Sequence, residues 1–280
     1  MSEMMSDVYL KFWGTRGSLP VSGPMHQKYG GNSSCVELAY HDHHIIIDGG
    51  SGLRFLGDEL VQKGIKNITL LISHFHNDHL CGIPFFAPLF DPEVTIKIYA
   101  LPNDEGITLE QALACYMAPP TYPVGLDIFK ANIEFVNGCS GEEWAIGDIA
   151  IKSHPIPHPG GCHAYRLSTP GQSIVYATDT EHVIGALNQE LADFARQADY
   201  LLYDCTYDDD EFDKFIGFGH STWQEGVRLC QHAEIENLAI IHHAPELTDA
   251  MLDDRADRAA KIFKNAFVAS DFLKIHLNHS

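Results

Sequence analysis

The chain is short of positive charge. Lys and Arg together number 18 against 38 Asp and Glu, a formal net charge of −20. No Lys/Arg cluster stands out, and nucleic-acid wrapping depends on those cations meeting phosphates, so the balance disfavours that class. The seven cysteines form no CxxC pair and are odd in number, which reads as a reduced, cytoplasmic set. No apolar run approaches the length that spans a bilayer, so no membrane association is expected. Residues Met1–Asp7 carry neither a basic region nor an apolar stretch, so no signal peptide is expected there. Repeats of 20–50 residues, linkers and low-complexity tracts are absent as well. What remains is 280 residues with 45% hydrophobic content, enough for a full core. The expectation is one domain over 1–280.

Against that background one run is dense in chemistry: Ser73-His74-Phe75-His76-Asn77-Asp78-His79-Leu80. Three imidazoles and a carboxylate within six positions exceed what a solvated loop needs. The run follows an apolar strand, Ile68–Ile72, so a rigid element holds it. Imidazole nitrogen and carboxylate oxygen suit zinc, manganese or iron better than calcium or magnesium.

A pattern repeats along the chain. A short apolar strand ends at an acid or a histidine, and a polar or Gly-rich turn follows. His44–Ile47 leads to Asp48, Leu70–Ser73 to His74, Ser173–Ala177 to Asp179, Tyr200–Tyr203 to Asp204, and Leu238–Ile241 to His242. Strands of this kind read as buried on both faces, and open α/β sheets gather ligands at strand carboxyl ends. Helices are expected over Leu53–Lys63 and Gln189–Gln197, and from a Ser221/Gln224 capping box through Ala233. Thr248 is expected to cap another. Single strands are expected near Ile96–Tyr99, Ile133–Val136 and Ile146–Lys152. The Pro-rich segment 102–124 reads as irregular, a cover over a site. His41, His43 and His44 read as a surface turn beside Asp42, with a second metal cluster as the alternative. Asp48 is either a turn-capping carboxylate or the group that orients a ligand imidazole.

The run His74-x-His76-x-Asp78-His79 resembles the signature of the metallo-β-lactamase-fold hydrolases. Trp13-Gly14-Thr15-Arg16-Gly17-Ser18-Leu19-Pro20, Asn32-Ser33-Ser34, Asp48-Gly49-Gly50, Asp204-Cys205-Thr206 and Gly219-His220-Ser221-Thr222 resemble the ribonuclease Z-like phosphodiesterase branch in order and spacing. That resemblance implies an α/β fold, a four-layer αββα sandwich of two mixed sheets flanked by helices. It implies two divalent metals, zinc foremost, with manganese and iron accepting the same donors. His74, His76 and His158 would hold one, Asp78, His79 and His242 the other, and Asp179 would bridge. His154 stays open as an alternative to His158, and His243 to His242. Asp204 and His220 match the branch's proton-delivery pair, with Asp where many relatives carry Glu. The implied chemistry is attack by a metal-bridging hydroxide, with Asp78, Asp204 and His220 serving catalysis and His220 as proton donor.

The expected function is therefore a phosphodiesterase acting on a small phosphodiester such as a cyclic nucleotide. The branch's tRNA-processing members carry a basic Gly/Pro-rich arm. None is found here, and segment 102–124 has no Lys or Arg, so no tRNA or other nucleic-acid polymer is expected. A homodimer is an open assembly. A lactonase or thioesterase-type metallohydrolase is the alternative enzyme, and a metal-binding sensor without turnover the alternative of another class.

Overall fold

The computed structural model describes residues 8–138 and 140–277. The N-terminal reading at Met1–Asp7 and the thiol of Cys139 lie outside the described residues. The first sheet contains β1 (Tyr9–Gly14), β2 (Cys35–Tyr40), β3 (His43–Ile47), β4 (Asn67–Ile72), β5 (Thr95–Ala100) and β6 (Asn132–Asn137). The second contains β7 (Glu143–Ile146), β8 (Ile149–Ile156), β9 (Cys162–Ser168), β10 (Ser173–Ala177), β11 (Tyr200–Asp204), β12 (Asn237–Ile241) and β13 (Ala266–Val268). A final strand, β14 (Lys274–His276), returns to pair with β1. Both sheets are mixed, in the orders β14-β1-β2-β3-β4-β5-β6 and β13-β12-β11-β10-β9-β8-β7.

Residue alternation explains the layering. Successive side chains of a strand point to opposite faces. Ile45 and Ile47 of β3 face the layer between the sheets, where they meet Tyr176, Leu202 and Ile241, while Ile46 turns to the outer layer. In β12, Ala239 and Ile241 face inward, and Leu238 and Ile240 face helices on the outside. The helix α1 (Leu53–Lys63) covers the first sheet with Leu53, Leu56 and Leu60. After the one-turn α2 (Asn77–Leu80) and α3 (Leu109–Tyr116), the helices α4 (Gln189–Ala195), α5 (Trp223–Ala233) and α6 (Asp249–Ile262) cover the second. The result is the αββα sandwich expected from the sequence.

Three local expectations need correction. The strand expected over Ile146–Lys152 is two strands, β7 and β8, because Gly147 takes a positive φ of 56° and turns the chain back on itself. Segment 102–124 is not wholly irregular: Thr108 and Gln111 form a reciprocal capping box that starts α3. The cap of α5 is Thr222, whose side chain accepts from the Glu225 backbone N–H at 3.1 Å. Ser221, one residue earlier, is engaged elsewhere. No helix of the described residues is long and apolar enough to cross a membrane.

Candidate metal centre

The strands β3 and β4 run parallel, as do β10, β11 and β12. Their carboxyl ends therefore deliver Asp48, His74, Asp179, Asp204 and His242 to one rim of the sandwich. Three of these residues take left-handed backbone conformations: Asp48 at φ 64°, Asp179 at φ 52° and His242 at φ 59°. Non-glycine residues pay about 1–3 kcal/mol for sparsely populated conformations, which persist where surroundings enforce them.

The gathered atoms converge without bonding one another well. Asp179 has two different neighbourhoods. Its Oδ1 lies 3.8 Å from both His74 Nε2 and His158 Nε2. Its Oδ2 lies 3.1 Å from His79 Nε2 and 3.2 Å from His242 Nε2. Asp78 Oδ2 completes the second group, 3.2 Å from His79 Nε2 and 3.3 Å from His242 Nε2. In the first group, His76 Nδ1 and His158 Nε2 face each other at 3.0 Å. A tetrahedral ion about 2.1 Å from each ligand would separate those ligands by about 3.4 Å, the spacing of these atoms.

The buried Nε2 atoms of His74 and His79 have no hydrogen-bond partner, although carboxylate oxygens stand near. Unmatched buried polar atoms are costly, and several aimed at one point call for a cation. The protonation balance says the same. Burial disfavours a charged His79, but the carboxylates of Asp78, Asp179 and Asp48 outweigh it and raise its pKa well above normal. Burial likewise opposes charge on His242, yet Asp179 and Asp204 push it up to about 9. Without metal, protons supply the positive charge that these carboxylates draw in.

Second partners orient the imidazoles. His79 Nδ1 donates to Asp48 Oδ2 at 2.8 Å. The same carboxylate accepts from Tyr176 Oη and from the backbone and hydroxyl of Ser73, all at 2.8 Å. Asp48 is therefore the group that orients a histidine, not a turn cap. His158 Nδ1 donates to the Gly219 carbonyl at 2.7 Å. Only glycine fits there: φ is +84°, and a Cβ would lie 2.3 Å from His158 Nδ1. His242 Nδ1 meets Thr206 Oγ1 at 3.0 Å. Sequence reading missed Ser73, Tyr176 and Thr206 as supports, because hydroxyls and phenols carry no spacing signature.

His158 joins the cluster, whereas His154 stacks on Phe194 with ring centroids 5.0 Å apart. His242 also joins it, whereas His243 points to the Ala269 carbonyl at 2.9 Å. His44 is buried against Glu37 at 2.8 Å, and the 41–44 histidines enter no metal-competent group among the described residues. Next to Asp179 stands a second kind of pair. His220 Nδ1 is 2.9 Å from Asp204 Oδ2 and 3.6 Å from Asp179 Oδ1. Asp204 Oδ1 accepts from the Thr206 N–H at 3.0 Å and the Thr206 hydroxyl at 2.7 Å, which fixes the carboxylate. Burial lowers the pKa of His220, but the charge and hydrogen bond of Asp204 overcome it, and the net direction is upward. From the cover segment, Tyr116 donates to Asn77 within the histidine run at 3.1 Å.

A two-sheet αββα sandwich with this His/Asp rim defines a metal-dependent hydrolase. Residues 43–243 match the family described as the β-lactamase superfamily domain, and the chain belongs to it. Within that superfamily it belongs with the ribonuclease Z-like proteins. Ribonuclease Z of Prochlorococcus marinus (strain NATL1A) is 33% identical over 84% of this chain and 90% of its own length. That of Synechococcus sp. (strain CC9311) is 32% identical over 96% and 98%. Among solved structures, the metallo-β-lactamase-fold protein YhfI from Bacillus subtilis superposes with TM-score 0.74 at 18% identity, covering 96% of this chain and 99% of its own. A diphosphatase of the PhnP family reaches 0.69 at 18%, covering 97% and 98%. Human tRNase Z, short form, reaches 0.66 at 18%, covering 97% and 100%.

These relatives overturn one expectation. Net charge and the lack of a basic arm argued against tRNA or any nucleic-acid polymer, yet full-length relatives are named ribonuclease Z and a structural neighbour is a tRNase Z. Net charge sums over the whole surface and does not describe the field at one rim. Divalent cations are the largest local charges of any site that holds them, so they can reverse the sign there.

Proposed function

We propose that this chain is a binuclear metal-dependent phosphodiesterase, with a small phosphodiester such as a cyclic nucleotide among its substrates. The carrying observation is the Asp204–His220 pair standing 3.6 Å from Asp179. An alkoxide leaving from phosphorus needs a proton, and a positioned imidazole delivers one. The thiolate leaving a thioester has no such need.

His74, His76, His158 and Asp179 Oδ1 would hold one ion, and Asp78, His79, His242 and Asp179 Oδ2 the other. The donor set suits zinc first, then manganese or iron. Two such ions supply a nucleophile at neutral pH and Lewis acidity toward phosphoryl oxygens. The remaining work falls to the chain. Asp48 fixes the tautomer of His79. The Ser18 backbone N–H donates to Asp78 Oδ2 at 2.8 Å and sets that carboxylate. Asp204 holds His220 by Nδ1, which leaves Nε2 to give its proton to the departing oxygen. His220 is then neutral and regains a proton from solvent. The free thiols among the described residues fit a cytoplasmic setting.

Metal-loaded protein is expected to turn over bis(p-nitrophenyl) phosphate and cyclic AMP. The same panel includes a precursor tRNA, a lactone and a thioester. Activity confined to the last two overturns the phosphodiesterase reading. Cleavage of the tRNA as well places RNA among the substrates.

Asp48→Asn is expected to weaken metal retention by about 10–100-fold, the usual cost of losing an outer partner of a ligand histidine. The amide cannot accept from His79, Tyr176 and Ser73 together. The readout is the chelator concentration that removes half the bound metal, and unchanged retention would limit Asp48 to a folding role.

A further inference from the structure

A separate cavity of about 370 Å³ lies between the turn that follows Asp179 and the start of α5. One wall is the turn that follows Asp179, including His182 and Leu187. The other is the first turns of α5, with Glu225 and Arg228, and Asp209 and Phe212 also line it. The size lies within the range of small-ligand sites.

Its polar lining is unevenly matched. Arg228 grips Asp209 with two bonds, Nη1 to Oδ2 at 2.7 Å and Nη2 to Oδ1 at 3.1 Å. Its Nε donates to Glu225 Oε2 at 2.6 Å. Asp209 also accepts from Thr222 Oγ1 at 2.6 Å. Glu225 Oε1 has no hydrogen-bond partner, although the residue is only 3% exposed. An acid in the first turn of a helix is favoured by the helix dipole, which accounts for an acidic residue at this position. It does not account for a buried oxygen left without a donor.

His182 forms part of the same wall. Its Nδ1 is 2.7 Å from Ser221 Oγ, which is 2.9 Å from Tyr203 Oη. This is the engagement that removes Ser221 from the helix cap. The imidazole stacks on Phe212 with centroids 4.1 Å apart. Burial pushes its pKa down, against the opposing pull of Glu225. Two carboxylates, Asp209 and Glu225, stand against one guanidinium, Arg228, with one carboxylate oxygen unmet and Leu187 and Phe212 as apolar lining.

We propose that this cavity is a second binding site, distinct from the metal centre, for a small organic monocation: an amine or amidine with an apolar body. Its N–H group donates to Glu225 Oε1, and its hydrocarbon part lies on Leu187 and Phe212. The site needs no metal ion and no turnover, so its test is independent of the phosphodiesterase reading.

The test is calorimetric titration of metal-loaded protein with benzamidine, neutral benzamide and anionic benzoate. Benzamidine is expected to bind once per chain, and the other two not at all. Glu225→Gln removes the charge and keeps the volume. Ala186→Phe fills the cavity from its exposed lip and tests the place even where the first variant fails to fold. Each is expected to weaken benzamidine binding by about tenfold or more, the loss of a charged hydrogen bond or of the space itself. Equal binding of benzamide and benzamidine overturns the proposal. So does benzamidine affinity unchanged in Ala186→Phe, which assigns the cation to the acidic surface at large.

Discussion

Replacing Asp179 by Asn is expected to reduce bound metal from about two ions per chain to one or fewer and to lower phosphodiester turnover by about a thousandfold. The reason lies in the division of its carboxylate. Oδ1 serves His74 and His158, and Oδ2 serves His79 and His242. An amide keeps one acceptor, replaces the other with donors and removes the charge that both groups share. Asp179 is 1% exposed, so bulk water is not at hand to fill in. Metals contribute several kcal/mol of charge stabilisation in such reactions, and about 1.4 kcal/mol is tenfold in rate. Asn is the fair substitution because it tolerates the left-handed backbone that Asp179 adopts at φ 52°. An unaltered circular dichroism spectrum with lost metal therefore reports on ligation and not on folding. Elemental analysis after dialysis gives the metal count. Two ions retained in the variant would remove Asp179 from its bridging place.

Much of this site was legible because its residues sit at strand ends. An apolar run followed by Asp or His is a local signal, and β3, β4, β10, β11 and β12 each carry one. What sequence could not supply was the partner across the rim. His154 and His158 are four residues apart, and only the fold separates a ring stacked on Phe194 from one that meets His76. Asp48 looked equally like a turn cap, because its three donors come from positions 25 to 128 residues away. The cap of α5 slipped by one residue for a similar reason. Ser221 and Thr222 both satisfy the local rule, and the choice was made by His182 and Tyr203, which claim the Ser221 hydroxyl. The split of β7 from β8 turned on the two-residue turn Gly147-Asp148, where Gly147 takes a positive φ and Ile146 pairs with Ile149. The exclusion of nucleic-acid polymers failed at a different level. Whole-chain charge is a global quantity, while recognition of a phosphodiester is set by the few groups at one rim.

His220→Ala separates proton delivery from metal binding. Turnover of a phosphodiester with a poor leaving group is expected to fall by about 10²–10⁴-fold, the span of general acid catalysis, with metal content unchanged at two per chain. His220 faces the site from the edge, bonded to Asp204 at 2.9 Å. Asp179, Asp204, His220 and His242 also lie close enough together to hold an ion, so the metal count is the control that separates the two roles. The effect should shrink when the leaving group is p-nitrophenolate, which departs without a proton. The pH profile adds a second readout. A general acid works while protonated, so activity falls as pH rises through its pKa. Asp204 shifts His220 upward against burial, which places that fall above the ordinary 6.5. In Asp204→Asn the supporting charge is gone, and the alkaline fall should move to lower pH while turnover at its optimum drops less than in His220→Ala. A profile unmoved in Asp204→Asn, or metal lost together with His220, would take this pair out of proton delivery and leave it a structural contact.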